Sequence, residues 1–320
     1  MRIDVHNHAL PEAAVELLRR EPAFGVRIQD RVLSSRDHPD FVLERSFTDP
    51  AAKLAELERV GIEGAAVSVS PTAFHYDVDP GAAEELARTV NDGLQRLAGH
   101  APERLRWLAH LPLQAPERAV AVLRDAAAAG AAGVEVGTSV AGRRLDEPQV
   151  DPVWAAAATL GLPVMLHPAY NEPHAGLAPF YLQNVIGNLL ETTIAVERLI
   201  CAGVLGRHPG LALLLVHGGG YVPYQAGRLR HAATVRPEMP AAIDPWAYLD
   251  HLWFDTITHD REALRFLVAR VGAERVLLGT DLPFDMAPPD PMVELEDALD
   301  ATTVRRVAEE NPGRLLRMDG

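Results

Sequence analysis

Short apolar runs rich in Val, Leu and Ala recur along the chain, and an amphipathic stretch follows most of them. Eight runs read as strands: Arg2–His8, Gly64–Ser70, Leu105–Leu111, Gly133–Gly137, Pro163–His167, Ala212–His217, Leu252–Thr256 and Val276–Thr280. Helical periodicity marks 51–60, 81–98, 116–129, 152–160, 191–204 and 260–271, and after the last strand 291–299 and 302–316. Strands that alternate with helices build βαβ units and a parallel sheet. Eight such units predict an α/β fold of the closed (β/α)8 TIM-barrel type over residues 1–320 as one domain. Two stretches interrupt the alternation. Residues 21–49, with Pro22, Gly25 and Pro39, read as a small insertion after strand 1 that could form a flap over the barrel mouth. Residues 169–187, rich in Pro, Gly and aromatics, read as an active-site loop after strand 5.

Composition narrows the function classes. A net charge of −14 argues against a nucleic-acid partner or an anionic membrane. No apolar run reaches membrane-spanning length and the N-terminus carries no signal region, so a cytoplasmic protein is expected. The single cysteine, Cys201, excludes an internal disulfide and sits among apolar residues, as a buried structural thiol would. No dinucleotide or P-loop fingerprint is present; Gly218–Gly220 lacks the rest of either pattern.

The strand ends carry the chemistry, because a barrel of this type works at the C-terminal ends of its strands. The first ends in His6-Asn7-His8, where residues i and i+2 share one face. The fifth ends in His167, the sixth in His217 and the eighth in Asp281. Each alone has a bland explanation as a polar strand end, a capped core histidine or a turn residue. Together they form a nitrogen–oxygen set suited to one divalent ion, Zn²⁺ first and Mn, Fe or Co next. His6, His8, His167 and Asp281 are the expected ligands, and His217 is placed to move a proton. The chain has one lysine, Lys53, which opens the first clear helix, and none on the fourth strand; Glu135 on that strand is expected to be structural.

The stretches IDVHNHALPE at 3–12, GLPVMLHPA at 161–169, 191–223, VLLGTDLPFD at 276–285 and NPGRLL at 311–316 resemble the amidohydrolase-related family typified by 2-amino-3-carboxymuconate-6-semialdehyde decarboxylase. The resemblance implies a mononuclear, metal-dependent, non-oxidative decarboxylase of a carboxylated muconate-type or hydroxyaromatic small molecule, without an organic cofactor. It implies His217 and Asp281 as catalytic residues and Phe284 as an aromatic substrate wall. Substrate carboxylates would be held by Arg236, donated across a homodimer, and by Arg45, whose register is one residue off. The loop after His167 and the segment before 191 depart from the family pattern, which bears on the substrate alone. The same ligand set serves a hydrolase of a lactone, ester or amide, or a hydratase.

Overall fold

The computed structural model describes residues 1–35, 39–169, 174–240 and 243–318. Eight parallel strands form the sheet: β1 (Ile3–Ala9), β2 (Gly64–Val69), β3 (Leu105–His110), β4 (Gly133–Gly137), β5 (Val164–His167), β6 (Leu213–Leu215), β7 (Leu252–Asp255) and β8 (Val276–Leu277). Neighbours in sequence are neighbours in the sheet. The edges meet through Val5 N–H to the Leu278 carbonyl at 2.9 Å and Asp281 N–H to the His6 carbonyl at 2.8 Å. The molecule is therefore a closed (β/α)8 TIM barrel, as the alternation predicts.

The inside of the barrel holds Ile3, Val5, Ala66, Leu108, Met165, Leu214, Trp253 and Leu277, plugged at the N-terminal end by Leu316. The opposite strand faces, such as Val67, Val134, Val164 and Phe254, pack on the surrounding helices. Strand side chains alternate between faces, so one step up from Leu108, Met165 and Trp253 the inward positions are His110, His167 and Asp255. On β1 the register against β2 shifts between Asp4 and Asn7. That bulge reverses the parity, so Ile3 and Val5 below and His6 and His8 above all face inward.

Asp49, Asp79 and Asp260 accept hydrogen bonds from the first N–H groups of the helices Pro50–Arg59, Pro80–Ala98 and Arg261–Val271. These caps satisfy donors that the helix itself leaves open. Among the described residues, the helices Glu12–Arg20 and Val222–Val235 and the single turn Arg45–Thr48 lie outside the predicted set. The insertion forms a small antiparallel sheet of Arg27–Gln29, Val32–Ser34 and Phe41–Val42. Its Val32, Phe41 and Val42 line the cavity above the barrel mouth. Of the loop after β5, residues 170–173 lie outside the described residues. Among the described residues no helix is long and apolar enough to cross a membrane.

Candidate metal centre

β1 delivers two imidazoles to one point. His6 Nδ1–H donates to Asp255 Oδ2 at 2.8 Å, and His8 Nδ1–H donates to the Val69 carbonyl at 3.0 Å. These acceptors fix both tautomers, which turns each Nε2 lone pair inward. The two Nε2 atoms then stand 3.0 Å apart. Two lone pairs at that distance repel unless a cation lies between them. His167 follows the same logic: its Nδ1–H donates to the Pro168 carbonyl at 2.6 Å, and its Nε2 is buried with no hydrogen-bond partner among the described residues.

Asp281 completes the set. It follows β8 with φ 66°, which swings its carboxylate across the barrel mouth. Oδ1 lies 3.0 Å from His8 Nε2 and 3.4 Å from His6 Nε2 without hydrogen-bond alignment to either. Burial alone would raise this carboxyl; the His217, His6 and His8 imidazoles outweigh it and hold it well below the usual range. Burial pushes His8 down to about 4. Burial, with His8, His6 and His217 nearby, holds His167 well below its ordinary value, so both are neutral at pH 7 as a ligand must be. Burial also pulls on His6, but Asp255 and Asp281 outweigh it and raise its pKa. Three inward Nε2 lone pairs and an orphaned carboxylate oxygen fit one divalent ion.

His217 lies beyond the end of β6 rather than in it, with φ 55°. Its Nε2 is 3.7 Å from Asp281 Oδ2, and its ring centroid is 5.3 Å from those of His6 and His167. Gly218, Gly219 and Gly220 after it all have positive φ. A Cβ on Gly219 would meet Phe254 at 2.4 Å, and one on Gly220 the Leu189 carbonyl at 2.4 Å. The glycine run is therefore what lets this turn close under His217.

Two supports for the site are absent from the sequence reading. Asp255, at the end of β7 and fully buried, accepts from His6 Nδ1, from the His217 N–H at 3.0 Å and from the Gly218 N–H at 2.7 Å. The pattern Trp253-Phe254-Asp255 carries the signal, since Trp253 and Asp255 share the inward face. The second is Lys53, fully buried, whose Nζ donates to Asn7 Oδ1 at 2.7 Å, the His8 carbonyl at 2.9 Å and Glu56 at 3.1 Å. Asn7 in turn donates to Asp4, which accepts from the Thr280 hydroxyl at 2.6 Å beside Asp281. Glu135 is fully buried, 3.8 Å from His8 Nδ1, and burial raises its carboxyl well above the usual range. His6, His167, His217 and Asp281 make one group of closely spaced donors, and His8, Glu135 and His167 make a second.

The remaining predicted residues divide. Phe284 lines the cavity, its ring centroid 5.3 Å from that of His8. Arg45 points away: its side chain is 76% exposed and pairs with Asp49 at 2.6 Å. Its neighbour Glu44 lines the cavity instead. Arg45 does not line the cavity of its own chain, because the helix turn at 45–48 aims it at the Asp49 cap. Arg236 ends the helix Val222–Val235, exposed and paired with Glu238 at 2.6 Å, and does not line the cavity of its own chain.

Comparison with known proteins shows the family and the fold. The chain is 30% identical to a 2-amino-3-carboxymuconate-6-semialdehyde decarboxylase of Dictyostelium discoideum, over 100% of this chain and 92% of the relative. It is 27% identical to a gamma-resorcylate decarboxylase of Rhizobium radiobacter, over 84% of this chain and 87% of the relative. The fold matches that of a dihydroxybenzoic acid decarboxylase from Polaromonas sp. JS666 with bound manganese and the inhibitor 2-nitroresorcinol. That match has a TM-score of 0.79 and 23% identity over 100% of this chain and 97% of that one. A family model described as amidohydrolase covers residues 3–318, and the chain belongs to the amidohydrolase family.

Proposed function

We propose that this protein is a metal-dependent, non-oxidative decarboxylase of a small carboxylic acid, hydroxyaromatic or muconate-type. The observation that carries the reading is the convergence of His6, His8, His167 and Asp281 on one point beside His217, in a chain 30% identical along its whole length to a decarboxylase. In this reading those four residues hold a single divalent ion, zinc first; manganese occupies a related structure. A bound divalent ion supplies Lewis acidity toward a substrate oxygen.

The chain's own residues do the rest. Phe284 packs against the substrate beside His8. His217 donates a proton to the ring or chain carbon that carries the carboxyl group; the carbon–carbon bond then breaks, its electron pair returns to the substrate and CO2 leaves. Asp281, through Oδ2 at 3.7 Å, orients His217 for that transfer. His217→Asn should leave metal content unchanged and lower kcat by about 10²- to 10⁴-fold, as loss of a proton-transfer group does. Arg236, exposed at a helix end, is the residue offered to a second subunit of a homodimer. Arg236→Ala should raise KM without changing metal content, and an unchanged KM removes it from the site.

CO2 release tests the reading directly. Metal-loaded protein should release CO2 from members of a panel of hydroxybenzoates and carboxylated muconates, and chelation should abolish it. Lactone or ester turnover without CO2 would overturn the proposal in favour of a hydrolase.

A further inference from the structure

The cavity over the metal centre continues into a second one. The first, about 560 Å³, is bounded by the flap and by His167, His217, Asp281 and Phe284. The second, about 470 Å³, runs behind His217 between the helices Val222–Val235 and Arg261–Val271. Asn184, Asn188, His217, Asp281 and Met286 border both, so the two are lobes of one site.

The second lobe has a different character. Leu189, Pro223, Tyr224, Ile257, Phe266 and Leu267 form its walls. Tyr224 and Phe266 are 74% and 45% exposed, and their rings are 6.1 Å apart at its outer edge. Large apolar side chains left in water around a cavity are surface that a ligand covers. Thr258, one of the polar groups in the lobe, already donates its hydroxyl to the Asp260 carbonyl at 3.1 Å. Asn184, Asn188 and His259 also border the lobe, and its apolar walls suit an apolar arm that begins at His217.

We propose that the substrate is a hydroxyaryl monocarboxylic acid bearing an alkyl or aryl arm. Its ring and carboxylate occupy the first lobe, and the arm passes His217 into the second. This proposal rests on the decarboxylase reading, because it takes the carboxylate to lie at the metal centre. Burial of one methylene corresponds to about a fourfold gain in kcat/KM.

The experiment uses the full-length, metal-loaded protein and 2-hydroxybenzoic acid with methyl, propyl or pentyl substituents at each free ring position. kcat/KM for CO2 release should rise about fourfold per methylene in at least one positional series. Phe266→Asp, a change at a surface position, and Ala263→Trp, which fills the lobe, should both flatten that rise. Equal kcat/KM along every series overturns the arm, as does a rise that both variants leave intact. If instead Phe266→Asp breaks a dimer and the series are flat, the lobe is a contact between copies and the proposal is wrong. No CO2 from any acid overturns the decarboxylase reading instead, and the same series scored by calorimetric binding then decides the arm by itself.

Discussion

Asp255→Asn is the sharpest test of how the centre is held together. The substitution keeps shape and burial but replaces one carboxylate oxygen by a donor. Oδ2 accepts from His6 Nδ1 at 2.8 Å and the His217 N–H at 3.0 Å; Oδ1 accepts from the Gly218 N–H at 2.7 Å and the Ile257 N–H at 3.2 Å. Whichever oxygen becomes NH2, two buried donors face a donor. Each buried donor left unpaired costs about 1–3 kcal/mol, so the variant should lose about 2–6 kcal/mol of folding stability. If the introduced side chain turns its NH2 toward His6, the imidazole loses its tautomer and its aim. Removing such an outer partner typically weakens metal affinity by about 10- to 100-fold. Urea unfolding of the metal-free protein measures the first effect, and chelator competition the second. A variant that binds metal within about threefold of the parent would refute the claim that Asp255 orients His6.

Lys53→Met should destabilise the metal-free protein by about 3–5 kcal/mol, because it strips the buried Asn7 and His8 acceptors and the partly buried Glu56 carboxylate of their shared donor. Urea titration checks this, and a loss under about 1 kcal/mol would contradict it. Acid should weaken the fold through His110 and His75, which burial pushes down to about 3 and about 4. The unfolded chain binds those protons near pH 6.5 and the folded one does not, so stability is full above 6.5 and falls as pH drops toward 4 and 3. His110→Phe should reduce that slope by up to about 1.4 kcal/mol per pH unit, read from denaturation midpoints between about pH 4 and 7; an unchanged slope would exclude His110.

What was legible in the sequence is what inward-facing strand residues write into it. The eight strands and the converging His6, His8, His167, His217 and Asp281 follow from apolar runs with a polar residue at the end. The strands are shorter at β6 and β8 than their apolar runs, because His217 and Asp281 leave the sheet with positive φ to reach the centre. The helix Val222–Val235 escaped because it buries little besides Val222, Pro223 and Ala226, so its apolar period is faint. Asp255 also ends an apolar run, Leu252-Trp253-Phe254, and the alternation from Trp253 marks it as inward; its hold on His6, 249 residues away, is what no local pattern encodes. The role of Lys53 depends on a contact 46 residues away with Asn7, which no local pattern encodes.

Three of the four proposed ligands, His6, His8 and Asp281, come from the first strand and from the residues just after the last, joined by backbone hydrogen bonds across that seam. An ion bound there would act as a clasp on the closed barrel. During synthesis, a nascent chain that has not yet made residue 281 has three of the imidazoles but no carboxylate and no seam. Metal loading must then wait for nearly the whole polypeptide. Ion uptake during refolding would report ring closure, the last long-range event, rather than any local helix or hairpin.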